Sequence, residues 1–358
     1  MKIGINATYA ASDHPTGIGN YTINLIRHLA RVDKKNEYIL YYRYRTDEKK
    51  FLQAGFPSRR FEPGLGFLMP DRLDLFHDPA FKYIRIGKSR SIVTVHDMVV
   101  ALPEDYTSEK FKKTQTPKLM KALRRSDALI TVSRFTRDEL VRKLGVPEKK
   151  ISVVHHGIDT LLFRTDKKPA GPPALYKLPK EYILFVGNIE KRKNLIGLVT
   201  VFERVNKVHP GLHLLLIGRN GYGHETIRDR IRSSPRKDRI RMIDYVQSQD
   251  LPSFYRNARL FLFPSFYEGF GMPVLEAMAC QCPVVTSGCS SLPEAGGRAA
   301  VYVNPFDTYD ITNKTLNILE NEKLRKKLII EGLEHIRNFS WEATARNTVK
   351  VYEKTAGQ

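Results

Sequence analysis

The feature that most constrains this chain is an alternation of short apolar runs with helical patterns, repeated twice along its 358 residues. In the first half, residues 3–6, 38–44, 73–76, 92–96, 128–132 and 151–155 read as strands; in the second, residues 182–186, 213–217, 240–244, 260–263, 283–286 and 300–303 do. Helical stretches lie between most of them. Strands joined through helices line up in parallel, and a parallel sheet needs helices over both faces. Two such sets predict an α/β protein made of two Rossmann-like, doubly wound domains facing across a cleft. The stretch 165–179 contains Lys167, Lys168, Pro169, Gly171, Pro172, Pro173 and Pro179, a composition hostile to helix and central strand alike, and reads as the linker. Expected boundaries are therefore 1–170 and 171–340, followed by a last helix at about 341–358 behind the potential cap Ser340.

Ligands of doubly wound sheets bind beyond the carboxyl ends of the strands, so the segments directly after strands carry the chemistry. The densest is Pro264-Ser265-Phe266-Tyr267-Glu268-Gly269-Phe270-Gly271-Met272-Pro273-Val274-Leu275-Glu276. Gly269 and Gly271 permit a tight turn, and Pro273 suits the first position of a helix. Backbone N–H groups from Gly271 to Val274 would then cluster where a helix start attracts a diphosphate. Glu268 and Glu276 flank that start and are placed to hold hydroxyls. The plain alternative is a loop acid and an acid in a first helical turn.

Five further segments occupy equivalent places. Thr16-Gly17-Ile18-Gly19 opens a helix after the first strand, and its glycines let backbone approach a phosphate or a sugar. Thr94-Val95-His96-Asp97 ends a strand with a histidine suited to bonding a hydroxyl. Val186-Gly187-Asn188-Ile189-Glu190-Lys191-Arg192-Lys193-Asn194 brings cations to the place where a leaving diphosphate would build charge. Arg219 follows Ile217-Gly218, and Tyr245-Val246 follows the strand 240–244.

Taken in order and at their spacing, these segments resemble the family 4 retaining glycosyltransferases of the GT-B fold, whose signature is the pair of glutamates. The Gly-Ile-Gly-Asn-Tyr loop, the Val-His-Asp strand end and the Ser290-Ser291-Leu292-Pro293-Glu294 loop look like its mannosyltransferase branch, which builds surface polysaccharides. The resemblance implies transfer of a hexosyl group, with GDP-mannose the favoured donor and UDP-sugars the alternative, to a glycan or lipid-linked hydroxyl. It implies His96, Glu268 and Lys193 as catalytic residues. Gly17, Gly19, Asn188, Arg192, Lys193, Arg219, Tyr245, Val246, Gly269, Phe270, Gly271, Met272, Pro273, Val274 and Glu276 are implied at the donor, with Glu276 on the ribose. Asn188 stands where the family typically has an arginine, and Arg192 or Arg219 is the candidate to compensate. Retention in the family is commonly explained by attack on the departing face, without a protein nucleophile. The resemblance also implies that the last helix, about 341–358, crosses back to pack on the N-terminal domain.

A formal charge of +21 asks for anionic partners. Nucleic acid is not expected, because the basic residues are dispersed and no recognised binding motif appears. The nucleotide diphosphate, a lipid-linked diphosphate acceptor and an anionic membrane surface answer the charge better. The densest basic stretch, from Lys110 to Arg125 and interrupted by Pro117, is the candidate membrane-facing segment, with a solvated helix face as the plain reading. No signal-peptide pattern or long apolar span is present, and Cys280, Cys282 and Cys289 compose neither a disulfide framework nor a zinc set. A cytoplasmic protein, peripheral at the inner membrane face, is expected. The chain has no Asp-x-Asp pair for magnesium, so no metal cofactor is expected. A glycosidase also uses two carboxylates but leaves the glycines and cations unexplained, and a non-catalytic anion-binding protein is the rival from another class.

Overall fold

A computed structural model describes every residue except 14, 63–64, 66–70, 164–175 and 358, so the first part of the expected linker lies outside the described residues. The chain forms two compact units. The first holds Met1–Ala101, Glu109–Gly157 and Phe339–Gln358, and the second holds Leu102–Ser108 and Ile158–Asn338.

In the first unit the elements run β1 (Lys2–Asn6), α1 (Gly17–Val32), β2 (Glu37–Arg43), β3 (Ser58–Phe61), β4 (Leu75–Asp78), β5 (Arg90–Val95), α2 (Glu109–Arg125), β6 (Ala128–Thr131), α3 (Arg134–Leu144) and β7 (Ile151–Val153). Its seven strands are parallel, in the order β3-β2-β1-β4-β5-β6-β7. The second unit follows with β8 (Tyr182–Val186), α4 (Leu195–Val208), β9 (His213–Ile217), α5 (His224–Arg232), β10 (Ile240–Ile243), α6 (Leu251–Asn257), β11 (Leu260–Phe263), α7 (Met272–Ala279), β12 (Val284–Ser287), α8 (Leu292–Gly296), β13 (Ala300–Val303), α9 (Thr308–Glu320) and α10 (Glu322–His335). Its six strands are also parallel, in the order β10-β9-β8-β11-β12-β13. The last helix, α11 (Trp341–Ala356), belongs to the first unit.

All twelve expected strands form. β12 begins one residue late because Pro283 has no N–H for the ladder, although its carbonyl accepts from Phe261 at 2.8 Å. A thirteenth strand, β3, was not expected. It sits at the sheet edge, reads Ser-Arg-Arg-Phe and buries only Phe61, so it lacks the apolar run that marks central strands. α2 runs through Pro117 rather than breaking there. Pro117 and Lys113, whose carbonyl loses its helical donor, are both exposed, so water can replace the missing bond.

The core of the first unit is set by α1. Its Tyr21, Leu25, Ile26 and Leu29 recur at helical spacing and pack on Ile3 and Ile5 of β1 and on Trp341, Ala345, Val351 and Tyr352 of α11. α11 starts at Ser340, whose hydroxyl accepts from the Ala343 N–H at 3.1 Å. Gly157 admits that start, since a Cβ there would lie 2.1 Å from the Trp341 nitrogen. The opposite sheet face is filled by Tyr41, Phe61, Phe76, Ile84 and Ile86. In the second unit β11 is fully buried along Leu-Phe-Leu-Phe, as a central parallel strand must be.

Candidate functional site

Each sheet reverses its strand order once, between β1 and β4 in the first and between β8 and β11 in the second. Such switch points open a crevice at the carboxyl ends of the strands. In the second unit, the segments after β8 and β11 meet there. A single helical turn, Lys191–Lys193, follows β8, and Asn194 ends it at a φ of 56°. The Phe266 N–H donates to the Arg192 carbonyl at 2.9 Å, tying the two segments together.

The side chains converge on Glu268. Lys193 Nζ donates to its Oε1 at 2.5 Å and Arg192 Nη1 to its Oε2 at 2.9 Å. Arg192 is fixed in turn by Glu190 at 2.7 Å and by the Tyr267 carbonyl at 2.9 Å. The Glu268 N–H donates to Ser290 Oγ at 3.2 Å, and Ser291 Oγ donates to the Glu268 carbonyl at 2.8 Å. Glu268 and Lys193 are each 6% exposed. Burial alone would push the Glu268 carboxyl up, but Arg192 and Lys193 outweigh it and hold the group below its ordinary range. The cluster contains two cations and two carboxylates, so it carries no formal net charge, yet its cations are held at one place by bonded partners.

Glu276 lies elsewhere, on α7, with its Oε2 accepting from Tyr255 OH at 2.8 Å. Burial pushes its carboxyl up to about 7, and the Tyr255 bond offsets part of that rise. The helix start is Met272, with Pro273 second rather than first. The expected set of free N–H groups is smaller than four. Pro273 has none, and the Val274 N–H donates to the Gly271 carbonyl at 3.0 Å. Gly271 and Met272 retain N–H groups without a protein acceptor among the described residues. Gly271 has a φ of 109°, and a Cβ there would meet Leu292 at 2.8 Å, so the turn requires glycine.

Asn188 is exposed at the end of β8. Arg219 stacks over the Tyr245 ring at 4.9 Å, and Val246 is buried beside them in sequence. The structure thus divides the expected donor residues of this unit into three groups: Arg192, Lys193 and Glu268; Arg219 and Tyr245; and Glu276 at α7. Gly269 and Phe270 bridge the first and the last along the chain.

In the first unit, α1 begins at Gly17, which has open space where a Cβ would stand, whereas a Cβ on Gly19 would lie 2.7 Å from the Tyr9 carbonyl. Gly19 is thus required by packing, and Gly17 leaves the helix start accessible. His96 is half-buried after β5, and its Nε2 lies 2.8 Å from the Pro79 carbonyl. A carbonyl only accepts, so Nε2 carries the proton and Nδ1 is left as an acceptor. Burial holds this imidazole below its usual pKa and therefore neutral. Asp97 accepts from the Val99 N–H at 3.1 Å and organises the next turn. The turn residue His156 packs on Tyr21 and Trp341. Among the described residues no group of three or more His, Cys, Asp or Glu is placed to hold a metal ion, and no helix is long and apolar enough to cross a membrane. Two contributors carried no sequence signal: Tyr255, which reaches Glu276 from α6, and the Pro79 carbonyl.

Comparison with known proteins agrees with this architecture. Residues 15–161 match the family described as Glycosyltransferase Family 4, and residues 173–335 match Glycosyl transferases group 1. The chain is 30% identical to an O-antigen chain mannosyltransferase B of Escherichia coli, over 99% of this chain and 100% of that one. It is 27% identical to a serotype-specific mannosyltransferase WbdA of the same species, over 72% of this chain and 32% of that longer one. Among solved structures, a sucrose-phosphate synthase from Thermosynechococcus elongatus superposes with a TM-score of 0.79 at 20% identity, covering 99% of this chain and 98% of the other. The Anabaena protein HepE, solved with UDP and glucose, gives 0.76 at 16% identity over 99% and 100%. With its two parallel, doubly wound sheets and its sequence matched from end to end, the chain belongs to the family 4 glycosyltransferases of the GT-B fold and is a nucleotide-sugar-dependent transferase.

Proposed function

We propose that this enzyme transfers a mannosyl group from GDP-mannose, with retention of anomeric configuration, to a hydroxyl of a glycan or lipid-linked acceptor in polysaccharide synthesis. The observation that carries the reading is the buried Glu268 clasped by Lys193 and Arg192 at the β8/β11 switch point, in a chain similar throughout its length to a mannosyltransferase.

In this reading Glu268 accepts hydroxyls of the donor sugar with one edge while its cations face the diphosphate. Breaking the anomeric bond moves negative charge onto the leaving diphosphate, and fixed cations in a buried place stabilise that charge without reorganising. Because Glu190 and Glu268 already neutralise the pair by count, the N–H groups of Gly271 and Met272 add the remaining attraction. In the first unit, Gly17 leaves a helix start open to a phosphate or a sugar, and Gly19 lets α1 pack close to Tyr9. There His96 offers Nδ1 as an acceptor for a sugar hydroxyl, which suits a binding role rather than proton donation. Glu276 holds the ribose, and Arg219 with Tyr245 and Val246 flanks the base. α2 exposes Lys110, Lys113, Lys118, Lys121, Arg124 and Arg125, which supports work at an anionic membrane surface.

Incubation with GDP-mannose, UDP-glucose, UDP-galactose and UDP-N-acetylglucosamine, with NMR of the product's anomeric signal, tests the reading. Turnover of GDP-mannose to an α-linked product is expected. A UDP-sugar preference or an inverted product overturns the donor or the stereochemistry respectively. Lys193→Ala lowers kcat by about 10²–10³-fold, the scale found when one fixed charge-stabilising group is removed from a buried site.

A further inference from the structure

Beside the Glu268 cluster, and wholly within the second unit, lies a cavity of about 390 Å³ whose lining includes Asp105, Tyr106, Lys191, Ile196, Ile227 and Phe266. That volume is at the lower end of the roughly 300–1,000 Å³ typical of small-molecule sites. Its walls are largely apolar and its polar groups few. Asp105 accepts from Lys191 Nζ at 2.5 Å and from Tyr222 OH at 2.6 Å, so donors fix a carboxylate in the cavity lining.

An aromatic array continues from the cavity. Tyr106 and Phe266 are near parallel, 11° between planes and 6.3 Å between centroids, and Phe306 stacks on Phe266 at 4.9 Å and 27°. Phe306 is 74% exposed and the neighbouring Tyr309 is 67% exposed. Tyr309 already carries the Arg204 guanidinium over its ring at 4.0 Å, so the open ring face of the array is that of Phe306. A pyranose has one face of C–H groups and a rim of hydroxyls, and it matches aromatic faces beside a fixed carboxylate. Phe266 also lies two residues before Glu268, and its N–H is bonded to Arg192, so the array is continuous with the cluster assigned to transfer.

We infer that this cavity and its aromatic array form a glycan subsite, which takes pyranose units of the acceptor chain behind the hydroxyl that receives the sugar. The inference rests on the acceptor being a glycan. Its test compares Tyr106→Ala and Phe306→Ala with the wild type, using GDP-mannose and α-linked mannose oligosaccharides of two lengths, a disaccharide and a hexasaccharide. KM for the hexasaccharide is expected to rise about tenfold in each variant, a change of about 1.4 kcal/mol, while KM for the disaccharide and the rate of donor hydrolysis stay unchanged. An unchanged hexasaccharide KM overturns the subsite. A matching rise in GDP-mannose KM also overturns it, because the rings would then serve the donor. Saturation-transfer NMR of the hexasaccharide without donor keeps the two readings separable. Signal in the wild type that is lost in the variants supports the subsite even if GDP-mannose is not the donor, and no signal in the wild type overturns it.

Discussion

Under the proposed function, Glu276 is the donor-side residue whose protonation is set most clearly by the fold. Its folded pKa of about 7 stands above the ordinary 4.5, so the folded enzyme holds this proton more tightly than the unfolded chain. If the ionised form grips the ribose, donor KM rises as pH falls through about 7, and a pH series of KM checks this. Tyr255→Phe removes a donor that favours the carboxylate, so the same rise appears at higher pH. The sign for stability is opposite. Burying this charge costs progressively more as pH climbs from 4.5 through 7, so Glu276→Gln melts a few degrees above the wild type at high pH, and the gap closes toward about pH 5. The sequence marks Glu268 and Glu276 as a pair across a helix start. It does not show that one is buried between cations and held ionised while the other is raised toward neutrality beside a tyrosine.

Two glycines separate packing from ligand access at the level of the helices. Gly157 lets the start of α11 approach within 2.1 Å of where a Cβ would stand, so Gly157→Ala forces the helix off the first unit's core. A loss of about 3 kcal/mol is expected in urea unfolding, at the upper end of overpacking costs. Gly17 has no neighbour within 4 Å of its Cβ position and is the first residue of α1, where alanine is equally well accommodated. Gly17→Ala therefore raises stability by about 0.5–1 kcal/mol, and it weakens donor binding if the nucleotide sugar approaches that helix start. Binding titration together with unfolding reads both effects. α2 and β3 show where local signals mislead. A proline inside a helix is tolerated when the carbonyl it leaves unpaired faces water, and an edge strand forms without an apolar run because its neighbour supplies the ladder.

Across the whole molecule, burial lowers histidine pKa values in both units, those of His213 and His335 in the second and those of three imidazoles in the first. These three are His77, His96 and His156, and the pKa of His77 is lowered to about 3. His77 is enclosed by Tyr352 OH at 2.8 Å and Thr94 Oγ1 at 2.9 Å. The unfolded chain takes up these protons from about pH 6.5 downward and the folded unit only much lower, so stability is full above 6.5 and is lost as pH falls toward 3. The single tryptophan, Trp341, sits in the same core. Its fluorescence in thermal melts is expected to report a transition that is level above about pH 6.5 and falls as pH drops from there toward 3. A Trp341 transition that stays level over that range would show the imidazoles to be solvated.

The sequence by itself determined the twelve expected strands, the parallel class of both sheets and the loops at the strand ends, because apolar period, glycine and proline act between near neighbours. Those same local rules identify the Glu268 to Glu276 segment and its family. The tertiary structure alone decided that residues 102–108 and α11 join units distant from them in the chain, that Lys193 and Arg192 meet Glu268 some 75 positions away, and that Tyr255 meets Glu276. Such pairings arise when packing brings loops together at a switch point, and burial there sets the charge state. No periodicity along a chain encodes how far a carboxylate will end from water.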